Sequence, residues 1–557
     1  MLTADQIDAL GEKARQLITP VTDFLIEDIA RRISEAGQLT ATASYQVWRA
    51  QQLGLSQKEI KKRLKKLLKV TTNELEQLLT QAAETGYNFD IRNLPTEAAI
   101  PFAENSAIQQ IVSAAVQLAQ DDLSNITQTL GFVCPNGKAV GLTDAYNQAC
   151  DFAFMKVSTG AQDYNSAIRE ATKNLAEKGI VTIDYESGVH TSLEAAVRRN
   201  IMGGLGLMQE RISKQNHDDF GCDGWEISAH AASAPDHEPI QGRQYSDAEY
   251  EKLNNSLARR IGTLNCGHSA FPIILGVDSP QYTPEELDKF RADNEKGIDY
   301  EGRHYTMYEA TQRQRQLERS IRKQKRRILV AEQNPGDKER LQQTQIKYQV
   351  LDQEYKRFSK AAGLRLQHER MEMAGFGPKQ AKAADGEWKK AETAHKEWLK
   401  SIGAENTEFS GLAFYKNARY NKNTNYRLFR QYANDVEAGW ISPISGFENY
   451  RELYGRIQTE IVGRTAANGT VITGHVPHFM QRVIGTMADP EKLKRDLKII
   501  RRSGVEFDDI RDAIFNPEEI GSVLIRKSGK RSVKLIGKKC SVSINPDTGE
   551  LIQTNPL

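Results

Sequence analysis

Apolar residues recur at helical spacing through most of the chain. After Ser56-x-x-Glu59, residues Ile60, Leu64, Leu67 and Leu68 fall at i, i+4, i+7 and i+8, and Thr71-x-x-Glu74 repeats the signal before Leu75, Leu78 and Leu79. A Ser or Thr followed three residues later by Glu caps two orphan N–H groups reciprocally, so each pair predicts a helix start. Pro101 precedes a further helical run through Ile108, Ile111, Val112, Ala115 and Leu118. Residues 1–130 therefore read as an N-terminal helical region.

The pattern then changes. CPNGKAVGL is turn-rich, and two amphipathic helices follow in AYNQACDFAFMKVSTG and YNSAIREATKNLAEKG. VTIDY is rich in β-formers. The next helix carries Gly203, Gly204 and Gly206, which predict a kink or a close backbone approach. EISAH and FPIILGV read as short strands, and Thr283-Pro284-x-Glu286 opens another helix. Residues 131–300 thus read as an α+β core that carries a His/Cys island. Residues 301–400 read as a charged helical hairpin, broken at Asn334-Pro335-Gly336-Asp337 and resumed through Leu341, Ile346, Val350, Leu351, Tyr355 and Phe358. Residues 401–465 read as a linker with short helices. From 466 to 557, HFMQRVIGTM, PEKLKRDLKIIRRSG and GVEFDDIRDAIFNPEEI predict helices. VLIRKSG, SVKLIGKKCSVSI and GELIQTN predict antiparallel strands turned at Ser528-Gly529 and Asp547-Thr548-Gly549. The fold class expected is mainly α, with a small α+β module near 180–280 and a separate C-terminal α+β domain.

Composition narrows the function. A chain of 557 residues needs more than one core. A net charge of +2 gives no whole-molecule field toward nucleic acid or membrane, so any basic surface is local. One basic run is Lys61, Lys62, Arg63, Lys65 and Lys66. A denser one holds Arg313, Arg315, Arg319, Arg322, Lys323 and Arg326. Such runs form either a solvated helical face or a contact for phosphates or an acidic partner. No segment reaches about 18 uninterrupted apolar residues, so no membrane span is expected. The N-terminus lacks the basic region and apolar run of a signal peptide. Five widely spaced cysteines suggest a reducing compartment rather than a disulfide framework.

The chemistry concentrates between Trp225 and Pro272. This island holds His230, His237, Cys266 and His268, with Trp225, Gln241, Gly242 and Asn265 around them. Imidazole and thiolate are the usual zinc ligands, and structural sites want four. The Cys-x-His and His-x6-His spacings match no common zinc knuckle. A zinc site and a hydrogen-bonded structural cluster both remain open, and zinc is the sole cofactor the residues suggest. A Cys–His nucleophile pair has little support, because closeness in sequence does not fix the geometry it needs.

Several blocks occur here in a recognisable order. WEISAH, a segment ending in His237, Gln241-Gly242-Arg243-Gln244-Tyr245-Ser246, Asn265-Cys266-x-His268 with FPIILGV, and later YEATQRQRQLERSIRKQKRR together resemble the phage minor capsid protein 2 family, over roughly residues 10–370. Two positions depart from it. Gly267 stands where the family usually has Arg, and Ser233-Ala234-Pro235 where it usually has Ala-Arg-Pro. The resemblance implies a structural head-morphogenesis protein of a tailed phage, present in host cytoplasm during assembly and carried in the virion in a few copies. Its implied partners are portal and capsid proteins, with DNA or RNA contacted through the basic helices.

The C-terminal stretch carries a second resemblance. His478-x-x-x-Arg482, Asn516-Pro517 and SVSINPDTGELIQTNP are similar to ribonuclease-like toxin domains found fused to phage minor capsid proteins. That likeness implies metal-independent RNA cleavage. His475 or His478 would act as general acid or base, and Arg482, Ser532 and Thr548 would steady the phosphate. No catalysis is expected from residues 1–400.

Overall fold

Helix α1, Ala4–Gln38, is buried around most of its circumference. Ile18, Val21, Leu25, Ile26, Ile29 and Ile33 lie in the core, and so do Arg15, Asp23 and Arg32. A helix with so little solvated face must be surrounded by other elements. In this computed structural model, residues 2–39, 42–93, 100–134, 136–184, 189–263, 266–418, 424–486, 502–525 and 529–557 are described, save most side chains of 49–71. The chain divides into two compact units, Met1–Glu387 and Trp388–Leu557.

In the first unit, α1 packs against α2 (Thr42–Asp90), α4 (Leu142–Ser158), α5 (Tyr164–Lys178) and α6 (Leu193–Asp219), while α3 (Ser106–Gln128) lies on α2 and α6. The two expected starts at Ser56 and Thr71 fall inside the single 49-residue helix α2, so the helix is not interrupted there. A capping box is a local option. It loses where no proline stops the backbone ladder. The side chains of Ser56, Glu59 and Thr71 lie outside the described residues, as do those of the basic run except for the exposed Lys62. A four-stranded sheet of order β2-β1-β3-β4 comes from β1 (Leu130–Val133), β2 (Ala139–Gly141), β3 (Val181–Ile183) and β4 (His190–Ser192). Helix α6 runs on unbroken past its three glycines.

The island forms a three-stranded antiparallel sheet, β6-β5-β7, from β5 (Gly224–Ile227), β6 (Gln244–Ser246) and β7 (Ala270–Ile273), with α7 (Asp247–Ser256) beside it. Helix α8 (Pro284–Lys296) begins at the expected Thr283-Pro284-x-Glu286 start, where Thr283 and Glu286 form a capping box. Strands β8 (Ile298–Tyr300) and β9 (Arg303–Tyr305) lead into the helical hairpin of α9 (Met307–Glu332) and α10 (Lys338–Ala361). Asp337 caps α10 by accepting from the Arg340 N–H at 3.2 Å. The fold is thus mainly α with small separate sheets.

Helix α11 (Pro378–Ser401) runs across the boundary between the units. The second unit holds α12 (Leu412–Ala418), α13 (Thr424–Glu437), α14 (Phe447–Arg456) and α15 (Pro477–Ile484), then the helix Phe507–Phe515. Residues 401–465, expected as a linker, put Phe409, Phe429, Tyr432, Phe447 and Tyr450 into one core with Val542, Ile544 and Leu551 of the sheet. After the short strands β11 (Gly485–Thr486), β12 (Arg502–Ser503), β13 (Glu519–Ile520) and β14 (Leu524–Ile525), strands β15 (Arg531–Ile536), β16 (Cys540–Ile544) and β17 (Glu550–Pro556) pair antiparallel as expected. The sheet is not wholly antiparallel, however. β10 (Gly474–His475) joins β17 in parallel, Gly474 opposite Glu550. Most of the expected helix PEKLKRDLKIIRRSG, and Ser528 of the first turn, lie outside the described residues.

Candidate functional site

The site is assembled where β5 ends and β7 begins. Trp225 on β5 stacks on His217 of α6, ring centres 4.9 Å apart, and on Tyr250 of α7 at 5.4 Å. That fixes β5 against the helices. Past its end, Ser228 is tied to Ser269 at the entry to β7. The Ser228 N–H donates to the Ser269 carbonyl at 2.8 Å, and the Ser269 N–H to Ser228 Oγ at 2.9 Å. The chain then turns through Ala232 at φ 55° and Gly242 at φ 66°. A Cβ on Gly242 would stand 2.4 Å from Leu287 Cδ2, so the family-like Gln-Gly step needs its glycine.

Three of the four island residues meet. His237, Cys266 and His268 are buried, and one ligand atom from each falls within 4.8 Å of the others. Cys266 Sγ lies 3.4 Å from His237 Nδ1 and 3.5 Å from His268 Nδ1. The far side of each ring is held by an acceptor. His237 Nε2 faces the Arg259 carbonyl at 2.9 Å, and His268 Nε2 faces Gln241 Oε1 at 3.0 Å. The Gln241 oxygen is fixed in that role because it also accepts the His230 N–H at 3.1 Å. Burial, reinforced by His230 and His237, pushes His268 down to about 2, so its ring is neutral. Burial also raises the Cys266 thiol, which is the reverse of what an activated nucleophile needs.

His230 stands apart from this trio. Its ring lies 4.3 Å from that of His268, and its Nδ1 faces the Ala231 carbonyl at 2.9 Å. Its Nε2 is buried without a hydrogen-bond partner. A Cβ on Gly267 would sit 2.9 Å from that atom, so the small residue leaves the imidazole its space. Asn265 lies outside the described residues. A cavity of about 500 Å³, lined among others by Leu2, Met202, Trp225 and Tyr250, reaches Cys266 and His268.

The basic run of α9 is largely turned inward. Arg326 is buried and donates to Glu194 of α6 at 3.1 Å, and Arg322 lies 3.9 Å from the same carboxylate. Arg315 reaches Asp8 of α1 at 3.4 Å. Arg370 also pairs with Asp8, and lies 3.6 Å from Glu318. The sequence missed Glu194 and Asp8 as partners because they come from other helices, α6 and α1. Arg313 holds Gln316 on its own helix at 2.7 Å, Arg319 is exposed and Lys323 is half-buried.

In the second unit, α15 brings His478 and Arg482 together, with Arg482 Nε donating to His478 Nε2 at 3.0 Å. The other ring nitrogen of His478 faces Gln481 Oε1 at 3.1 Å, and Gln481 in turn donates to Asp435 at 2.8 Å. His475 is half-buried against Tyr454 and Phe479, its Nε2 is unpartnered and burial lowers its basicity. Thr548 is exposed and donates to Glu550 Oε2 at 3.1 Å. Ser532 is not brought to them. It is buried on β15, and the strand order β10-β17-β16-β15 puts it three strand spacings from His475, about 14 Å.

Against this geometry, the model of one protein family matches residues 2–359. The match lies within the first unit and takes in the island sheet and the α9–α10 hairpin. No curated protein and no solved structure matches the chain. A match to well over half of the chain, across the blocks that shape the His/Cys cluster, shows that the chain belongs to the phage minor capsid protein 2 family.

Proposed function

We propose that this chain is a portal-associated head-morphogenesis component, carried in the virion in a few copies after assembly in the host cytoplasm. The observation that carries the reading is the family match over residues 2–359, which makes a structural part of a phage particle the coarse role. Nothing among the described residues of the first unit competes with it as a catalytic constellation. Its one His/Cys grouping is buried and its thiol is held protonated. Among the described residues no helix is long and apolar enough to cross a membrane. Contacts to DNA, RNA or an acidic partner would fall to Arg313, Arg319 and Lys323, because Arg322 and Arg326 already serve Glu194. Mass spectrometry of purified particles, with pull-down of the portal ring, tests the proposal. The chain should be found in mature virions and should be retained by portal. Its absence from both would end the reading.

A second reading places RNA cleavage in the unit after Trp388. It is favoured by the His478–Arg482 pair on α15, with His475 just before the helix start. Ser532 takes no part in it. Incubating the full-length chain with RNA, alongside His478→Ala, tests this. Equal and negligible cleavage by both proteins would remove the activity and leave the unit an interaction module.

A further inference from the structure

We propose that His237, Cys266 and His268 bind a zinc ion that locks the island sheet to the loops at its end. The argument starts from protons. A carbonyl oxygen only accepts, so His237 Nε2 must carry the hydrogen that meets Arg259, and His268 Nε2 the one that meets Gln241. In neutral rings this leaves both Nδ1 atoms as bare lone pairs, and both point at the same sulfur. A thiol has one proton and can satisfy one of them. The second would be a buried acceptor facing sulfur with no proton to share.

A metal ion removes the conflict, because it takes both lone pairs and the thiolate together. Cys266 gives its proton to solvent and no other bond changes. The spacing fits as well. With Zn–S near 2.3 Å and Zn–N near 2.0 Å, tetrahedral geometry sets sulfur and nitrogen about 3.5 Å apart. The two observed separations are 3.4 and 3.5 Å. The outer contacts are those a zinc site uses to orient its ligands, with each imidazole held on its far nitrogen by an oxygen. The sulfur also accepts the His268 N–H at 3.4 Å, a bond that steadies a thiolate. One sulfur and two imidazoles suit zinc better than magnesium or calcium, which want oxygen. Water from the cavity lined by Cys266 and His268 would complete the four ligands.

The test uses the full-length chain without a polyhistidine tag, purified from zinc-supplemented cells. Elemental analysis should find about one zinc per chain. Exchange into cobalt should give tetrahedral d–d bands and a thiolate-to-cobalt charge-transfer band. Cys266→Ser and His237→Gln should abolish that band, while Cys222→Ser, a buried cysteine outside the trio, should keep it. Gln241→Ala should weaken binding roughly 10–100-fold, because it leaves the His268 ring held at its far nitrogen by Ser233 Oγ alone, at 3.3 Å. Wild-type protein that is folded by circular dichroism yet takes up neither zinc nor cobalt would overturn the proposal. So would a cobalt spectrum without the charge-transfer band, which would put the metal elsewhere. Should the variants aggregate, the wild-type cobalt spectrum decides alone.

Discussion

Gly206 does something that its neighbours on α6 do not. A Cβ there would stand 2.0 Å from the Gly262 carbonyl oxygen, whereas Gly203 and Gly204 have nothing within 4 Å. The close approach brings the helix against the loop that leads to Cys266. The sequence signalled that a glycine was needed, but three in four positions look alike until the partner backbone is known. Gly206→Ala should therefore cost about 1–3 kcal/mol, as overpacking against fixed backbone does. Gly203→Ala should gain about 0.5–1 kcal/mol from helix propensity. Urea unfolding of the two variants checks the pair, and equal effects would refute the assignment. A second single-residue expectation concerns pH. Burial raises Glu318 to about 7, above its ordinary value of 4.5. Between those values the folded chain holds a proton that the unfolded chain has lost, so this stabilisation is complete below about 4.5 and fades as pH rises through 7. Glu318→Gln stays neutral throughout. Its melting temperature relative to wild type should climb between pH 5 and pH 8, and a flat difference would count against a buried neutral carboxyl.

Periodicity located the helices well. It was blind to what their polar faces meet. The basic run on α9 looks the same in sequence whether it faces water, nucleic acid or carboxylates from elsewhere in the chain. Burial of Arg326 and Leu317 on one helix shows that the charged and apolar stripes overlap. Glu194 is the acid that makes this tolerable, with its side chain 11% exposed. Glu194→Ala strands Arg326 and Arg322 in a dry interface and should destabilise by about 3–5 kcal/mol. Glu177, whose pair with Arg327 is about 30% exposed on both sides, should cost less than about 1 kcal/mol when replaced by Ala. Chemical denaturation of both separates a buried cluster from a surface pair. Arg319→Glu should leave stability unchanged, so any loss of portal or nucleic-acid retention would report the exposed face of α9 alone. The Cys-x-His element was equally half-legible. Its ligand types were plain, yet the spacing gave no hint that both imidazoles would present the same nitrogen to one sulfur.

The largest gap between pattern and structure lies at the scale of the units. Residues 401–465 have short helices with weak periodicity, and so resembled a linker. Their aromatic side chains, however, supply much of the second unit's core. Phe409 and Phe447 pack with ring centres 5.8 Å apart, and Phe429 with Phe447 at 5.2 Å. A count of aromatics, rather than of periods, was the available signal. With separate cores, the two units should melt in two transitions. Phe409→Ala should lower one of them and Gly206→Ala the other, by calorimetry. A single transition moved by both would mean that the units unfold together.

The pairing of β17 bears on how the protein comes into being. The strand lies between β10 and β16, and β10 has no neighbour on this path until Glu550–Pro556 have been made. On a translating ribosome, Met1–Glu387 emerges with each of its described strands already paired within that segment. The following unit must wait, its aromatic helices exposed, until that late segment threads into place. Chaperone dependence and aggregation during expression should therefore arise from the second unit and grow when elongation is slowed after residue 388.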